Sequence, residues 1–243
     1  MPRGQTDFGE YAPTRTIAGM SDMGELAARL GSINTYDRKG QTIWQEDFED
    51  GIVKWWTNVT GAGGSVASSV ETARNGGKSA KLVSGTTAGN LAQMSRFVSR
   101  AVSSRIGVEI SYTTSNDVGT HDLTIYTNEG DIDFVPAIRY DPVLKILYYY
   151  NDLGVFVAFA ADVMTYKAIN YFAQMKLVFD LDTGYYVKCL FGADEYDLSE
   201  YKFPQGGGLN LNWLGVNYKV TSRATPTTST TYLDDVILTQ NEP

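Results

Sequence analysis

Hydrophobic and polar residues alternate along most of this chain, most clearly in residues 175–191, MKLVFDLDTGYYVKCLF. Met175, Leu177 and Phe179 occupy every second position of this segment. The alternation resumes after the DTG turn at residues 182–184. A period of two predicts β-strands with one buried face, and a glycine-containing turn between two such runs predicts a hairpin. The pattern therefore predicts an antiparallel sheet.

Similar runs follow one another from residue 44 to the end of the chain, separated by turns rich in glycine and asparagine. Many short strands with frequent turn signals are typical of a sandwich or a barrel. We therefore predict an all-β fold in which residues 44–243 form an antiparallel two-sheet jelly-roll β-sandwich.

Residues 1–43 have a different character. They carry no net charge, and residues 1–17 show neither a helical nor a strand period, which predicts an extended arm. Residues 21–31, SDMGELAARLG, have an N-cap serine, acidic residues in the first turn and a closing glycine, which predicts a short helix over about 21–30. A helix this short needs to pack on another surface to persist.

The apolar side chains of the arm are therefore expected to contact a neighbouring subunit, with the chain's own sandwich as the alternative surface. The residues predicted at this interface are Phe8, Tyr11, Ile17, Met23, Leu26 and Leu30.

Charge and composition narrow the classes of partner. The 243 residues carry a net charge of −8, which disfavours nucleic acid binding because such proteins present a basic surface. No apolar run is long enough to cross a bilayer, and residues 1–14 lack the apolar segment of a secretory signal. The single cysteine, Cys189, is predicted to be buried, and the single histidine, His121, to be exposed or to cap a strand.

Several segments resemble concanavalin A-like, laminin-G-like and carbohydrate-binding-module jelly rolls. They are EDFEDG at residues 46–51 followed by Trp55 and Trp56, GGKSAKL at residues 76–82, DLDTGY at residues 180–185 and YLDDVIL at residues 232–238. The resemblance covers residues 44–243 and implies the fold, whereas jelly rolls serve many unrelated functions. The plan of an arm followed by a sandwich also resembles bacteriophage decoration and minor capsid proteins.

Glu195, Asp197 and Glu200 match the E-x-D-x-x-E spacing of laminarinase-like glycoside hydrolases, in which a pair of carboxylates performs the catalysis. Alternation places Glu195 and Asp197 on one face of a strand and Glu200 on the other, and Ser199 and Pro204 interrupt the strand. We therefore expect an ordinary hairpin surface and a protein that is not an enzyme.

Two further hypotheses follow from the resemblance. A structural calcium ion would join the first strand to the last through Asp47 or Glu49 and Asp234 or Asp235, although no cofactor is required. Exposed aromatic rings could stack on a glycan, and the candidates are Trp55, Trp56, Tyr148, Tyr149, Tyr150 and Trp213. Adjacent residues point to opposite faces of a strand, so only one of Trp55 and Trp56 can belong to the core.

The preferred function is that of a non-enzymatic virion structural protein, as a capsid decoration or minor capsid or tail protein. It would be made in the host cytoplasm and anchored to other subunits through its arm. The first alternative is a glycan-binding protein of the carbohydrate-binding-module type, placed outside the cell, and the second is a laminarinase-like glycoside hydrolase.

Overall fold

The computed structural model describes residues 40–99, 104–116, 118–165, 168–208 and 213–243. Within these ranges the chain forms β-strands and turns and no helix. The predicted helix over about 21–30 and the six arm residues predicted at an interface lie outside the described residues. Strand β1 begins at Gln41, three residues before the predicted start of the sandwich.

The described residues contain seventeen strands. They are β1 (Gln41–Glu46), β2 (Trp56–Val59), β3 (Ser65–Ser69), β4 (Ser79–Val83), β5 (Leu91–Ser99), β6 (Arg105–Thr114), β7 (Gly119–Glu129), β8 (Ile132–Phe134), β9 (Ala137–Asp141), β10 (Ile146–Tyr150), β11 (Phe156–Ala160), β12 (Ala173–Asp180), β13 (Tyr185–Phe191), β14 (Asp194–Asp197), β15 (Gln205–Gly207), β16 (Trp213–Ser222) and β17 (Thr230–Gln240).

The strands form two antiparallel sheets. The eight-stranded sheet has the order β14-β13-β12-β6-β17-β4-β3, with β1 also paired to β17. The nine-stranded sheet has the order β11-β10-β9-β7-β16-β5-β2, and β8 joins β15 to β7. The last two long strands, β16 and β17, lie inside their sheets, so the end of the chain completes both layers. The predicted all-β sandwich is confirmed.

The predicted hairpin consists of β12 and β13, and Met175, Leu177 and Phe179 face the core between the two sheets. Its turn is held by Asp180, whose Oδ1 accepts the N–H groups of residues 182 and 183 at 2.9 and 3.3 Å. Gly184 completes the turn with φ at 75°, a conformation that favours glycine.

One buried polar cluster lies inside the core. His121 is fully buried, and its Nδ1 lies 2.9 Å from the hydroxyl of Tyr218. The prediction that this histidine is exposed or capping was wrong, because strand β7 turns it toward the core together with Leu123 and Ile125. Burial lowers the pKa of His121 to about 4, so the imidazole is neutral at pH 7.

Candidate functional site

The outer face of the nine-stranded sheet carries polar and aromatic side chains from most of its strands. On β7 the parity that buries Leu123 and Ile125 directs Asp122, Thr124 and Tyr126 to this outer face. The neighbouring strands obey the same alternation. The side chains that point away from the core therefore form one continuous surface across the sheet, and we call this surface the outer face.

A row of direct cross-strand partners crosses the middle of the outer face. In strand order from β2 to β11 it consists of Asn58, Gln93, Lys219, Asp122, Arg139, Tyr148 and Ala158. Neighbouring strands lie about 4.8 Å apart, so the row spans about 29 Å. This length allows contact with an extended ligand.

The centre of the row is an ion cluster formed by Asp122, Arg139 and Lys219. The Nε and Nη2 groups of Arg139 donate to Asp122 Oδ1 and Oδ2 at 2.6 and 2.8 Å. Lys219 Nζ lies 2.9 Å from Asp122 Oδ2. The Asp122 side chain is 1% exposed, whereas the side chains of Arg139 and Lys219 are 28% and 27% exposed. The carboxylate thus lies beneath two cations that face outward.

Aromatic rings flank one side of the ion cluster. Trp56 is 58% exposed on the edge strand β2, and Phe97 is 54% exposed on β5. The Phe97 ring packs edge-on against Trp213 at a centroid distance of 5.0 Å. Gly215 lies beneath this pair, where an added Cβ would come within 2.8 Å of the Phe97 ring and 2.9 Å of the Trp213 ring. A glycine is therefore required for the pair to lie this close to the sheet.

A second aromatic group lies on the other side of the ion cluster. Tyr150 and Phe156 are cross-strand partners with ring centroids 4.8 Å apart. The Arg139 guanidinium lies over the Phe156 ring, with its carbon 3.9 Å from the ring centroid. Tyr148 is the cross-strand partner of Arg139. A cation held between a carboxylate and an aromatic ring has little freedom to move.

Neutral hydrogen-bonding groups complete the outer face. The Asn217 amide donates to Ser95 Oγ at 2.6 Å, and both residues are buried in the row next to the ion cluster. Burial raises the pKa of Tyr126, with Lys219 opposing this and nearby Tyr150 adding to it. Its hydroxyl is therefore protonated at neutral pH and can donate as well as accept.

Of the aromatic residues predicted to bind a glycan, Trp56, Tyr148, Tyr150 and Trp213 all belong to this one face. Trp55 does not, because its ring packs on Phe48 in the core and its Nε1–H donates to Glu46 Oε2 at 3.3 Å. Tyr149 is also buried in the core.

The sequence did not predict several other residues of the outer face. They are Ser95, Phe97, Asp122, Tyr126, Arg139, Phe156, Asn217 and Lys219. Their parity on each strand was readable, but only the strand order of the sheet shows that they are neighbours.

The three carboxylates of the hydrolase hypothesis do not belong to the outer face of the nine-stranded sheet. Glu195 and Asp197 share the outer surface of edge strand β14, where Glu195 pairs loosely with Lys188 at 3.4 Å. Asp197 Oδ1 accepts the N–H of Ser199 at 2.9 Å. Glu200 lies beyond the strand and lines a small cleft of about 250 Å³ that contains neither of the other acids.

A larger concavity of about 840 Å³ lies on the outer side of the eight-stranded sheet. Its floor includes a buried ion pair in which Lys176 Nζ lies 2.6 Å from Glu242 Oε1. Glu195 is on its rim. The lysine and the acid neutralise each other, and the walls also carry the charged residues Arg74, Lys188, Asp194 and Glu195.

Three of the acids proposed to bind calcium accept hydrogen bonds from backbone N–H groups. Glu49 Oε1 accepts the N–H groups of Gly77 and Lys78, both at 2.8 Å, and these bonds lower the pKa of Glu49. Asp47 Oδ1 accepts the N–H of Glu49 at 3.2 Å. Asp234 Oδ2 accepts the N–H of Arg74 at 2.8 Å. These carboxylates therefore bind backbone groups.

The carboxylate of Asp235 differs from these, because one of its oxygens has no hydrogen-bond partner in the described part of the chain. It occupies a β-bulge with φ at 51°, Arg74 Nη1 lies 3.3 Å from its Oδ2, and its buried Oδ1 has no hydrogen-bond partner. Burial and the charge of Asp234 raise the pKa of Asp235 to about 8. The orphaned oxygen would suit a cation, but Ca²⁺ takes six to eight oxygens. Among the described residues no three acidic, histidine or cysteine side chains converge as a metal site, so calcium binding stays a prediction.

No protein-family model matches the chain, and no curated protein matches its sequence. The structure is similar to that of a cellulose-induced protein, Cip1, with a TM-score of 0.55 and 16% identity over 80% of this chain and 96% of that chain.

Two further solved structures are similar. A carbohydrate esterase from the Shiga toxin-encoding bacteriophage phi24B has a TM-score of 0.52 and 13% identity over 84% of this chain and all of that chain. The lectin UEA-II complexed with galactose has a TM-score of 0.50 and 10% identity over 83% of this chain and all of that chain. The fold is a concanavalin A-like jelly roll. The predicted resemblance is thereby confirmed for the fold, which at these identities is all that the similarity shows. No helix among the described residues could span a membrane.

Proposed function

We propose that this protein binds carbohydrate chains along the outer face of the nine-stranded sheet without cleaving them. The observation that carries the proposal is the arrangement of exposed and half-buried aromatic rings on both sides of the ion cluster, along a face about 29 Å wide. Flat rings pack against the apolar faces of sugar rings, and polar side chains between them supply hydrogen bonds to hydroxyl groups. The similarity to a lectin solved with galactose supports the proposal.

A glycan array followed by affinity electrophoresis tests this function. Trp56→Ala should weaken binding of the wild-type ligand at least about tenfold, which corresponds to about 1.4 kcal/mol. Tyr171→Ala is the matched control, because Tyr171 is also exposed but lines the concavity of the other sheet. Wild-type protein that binds no glycan, or two variants with equal effects, would contradict the proposal.

The absence of catalysis is part of the proposal. Glu195 and Asp197 are exposed on an edge strand, and Glu200 lines a cleft that neither of them lines, which supports a role other than that of a catalytic pair of carboxylates. We expect no release of reducing ends from laminarin-type substrates. Hydrolysis by the wild type that disappears in Glu195→Gln would support the hydrolase alternative instead.

The hypothesis that the protein belongs to a virion would explain where it binds carbohydrate. The similarity in fold to a bacteriophage carbohydrate esterase is consistent with it. Binding to subunits through Met23, Leu26 and Leu30 lies outside the described residues and stays a prediction. Deletion of residues 2–40 should leave a folded sandwich and abolish assembly, as measured by analytical ultracentrifugation, whereas unchanged assembly would contradict the hypothesis.

A further inference from the structure

We infer that the glycan recognised by the outer face is anionic and places a sugar carboxylate against Lys219 and Arg139. The inference rests on the proposed function and adds the class of ligand to it. It concerns the ion cluster, which an aromatic platform for neutral sugars would not need.

The charge of the ion cluster is the first observation. Two cations share one carboxylate, so Asp122, Arg139 and Lys219 together carry an excess charge of +1. In the next row Asp141 is paired with Arg223, with 2.7 Å between Oδ1 and Nη1, and this pair is neutral. The centre of the face is thus locally positive in a chain whose net charge is −8.

The remaining hydrogen-bonding capacity is the second observation. Arg139 uses only its Nε and Nη2 groups to bind Asp122, and an arginine has five N–H donors. Lys219 has three donors, of which the contact with Asp122 uses one. The cations therefore keep donors for a ligand after they have satisfied the buried carboxylate.

The rigidity and depth of the two cations are the third observation. Phe156 packs beneath the Arg139 guanidinium, and Asp122 holds both cations from below. Because roughly three quarters of each cationic side chain is already buried, a ligand removes little further hydration from it. Charge-assisted hydrogen bonds to a carboxylate are about twice as strong as neutral ones, so such a site favours a carboxylate over a hydroxyl.

The position of Asp122 agrees with this assignment. Its side chain is 1% exposed, so an incoming carboxylate meets the two cations before it meets the buried acid. The aromatic rings of Trp56 and Tyr148 lie on the two sides of the cluster. They would support the sugars on each side of the charged residue.

The test compares polyuronates with the same polymers after chemical reduction of their carboxyl groups. The panel is polygalacturonate, alginate and hyaluronan, and binding to wild-type protein is measured by affinity electrophoresis and calorimetry at low and high salt. We expect at least one polyuronate to bind, its reduced form to bind at least about tenfold more weakly, and only the charged form to lose affinity with salt.

Variants then locate the carboxylate. Lys219→Met should abolish the preference for the charged form, and Lys219→Arg should retain most of it. Lys188→Met is the control, because Lys188 belongs to the other sheet and pairs with Glu195. A Lys219→Met variant that keeps the full preference would overturn the assignment.

The outcomes separate this inference from the proposed function. Equal binding of charged and reduced polymers, or binding of neutral glycans alone that Trp56→Ala abolishes, overturns the inference and leaves glycan binding intact. Dextran sulfate that binds as tightly as the polyuronate overturns the assignment of a carboxylate. Failure to bind any glycan, charged or neutral, overturns both.

Discussion

Replacing Asp122 by asparagine tests whether the ion cluster holds the nine-stranded sheet together. The carboxylate accepts three charge-assisted contacts, at 2.6, 2.8 and 2.9 Å, from strands on both sides of β7. Asparagine keeps the volume but removes the charge, so Arg139 and Lys219 are left as neighbouring like charges.

The size of the effect follows from burial. Loss of one partner of a fully buried ion pair costs about 3–5 kcal/mol. Here the two cations are about a quarter exposed and can regain water, so we expect about 3 kcal/mol. For a domain of this size that corresponds to a fall in Tm of roughly 6–12 °C.

Urea denaturation followed by tryptophan fluorescence measures this loss, with an unchanged m-value as the sign that the folded state is otherwise intact. Glu195→Gln is the matched control, because its 3.4 Å contact with Lys188 is exposed and should contribute under about 0.5 kcal/mol. If Asp122→Asn were no more destabilising than Glu195→Gln, the cluster would not be a structural element of the sheet.

Three further changes have defined outcomes. Between pH 6.5 and 8.5 wild-type stability should fall by on the order of 1–2 kcal/mol as Asp235, with its raised pKa of about 8, loses its proton in the folded state, and Asp235→Asn should remove this fall. A rise in Tm with calcium that this variant lacks would contradict that expectation and favour a metal site. Gly215→Ala should separate Phe97 from Trp213, cost about 1–2 kcal/mol in urea denaturation and weaken glycan binding, and unchanged affinity would remove this ring pair from the site. Between pH 6.5 and 4 the wild type should lose about 3 kcal/mol more than His121→Phe, because the unfolded imidazole gains a proton that the buried one excludes, and parallel pH profiles would contradict this.

Local pattern was sufficient to predict the sheets but insufficient to predict the site. The β12–β13 hairpin could be read from alternation and one glycine turn, because both signals depend on residues close in sequence. Adjacent Trp55 and Trp56 had to face opposite ways for the same reason. Asp122, Arg139 and Lys219 come from three strands, and only the order β9-β7-β16 makes them direct neighbours. That order depends on long-range pairing, which alternation does not encode.

The β-bulge at Asp235 shows a second limit of the pattern. Simple alternation after Leu233 would direct Asp235 into the core, where its charge would be unpaired. The register shift between Asp234 and Ile237 places it beside Arg74 instead, in a left-handed conformation that aspartate tolerates.

The ion cluster connects the stability of the sheet to the selectivity of the site. A buried carboxylate with one cation would be neutral and would offer a ligand no charge. With two cations, Asp122 both fixes their positions and leaves an excess of +1 on the surface. Asp122→Asn should therefore lower stability and disorder the site together, whereas Lys219→Met leaves the two bonds from Arg139 in place and should reduce affinity for a charged glycan with a smaller loss of stability. Separate effects of this kind on folding and on binding are what a recognition site requires, and equal losses in both variants would assign the cluster to the sheet alone.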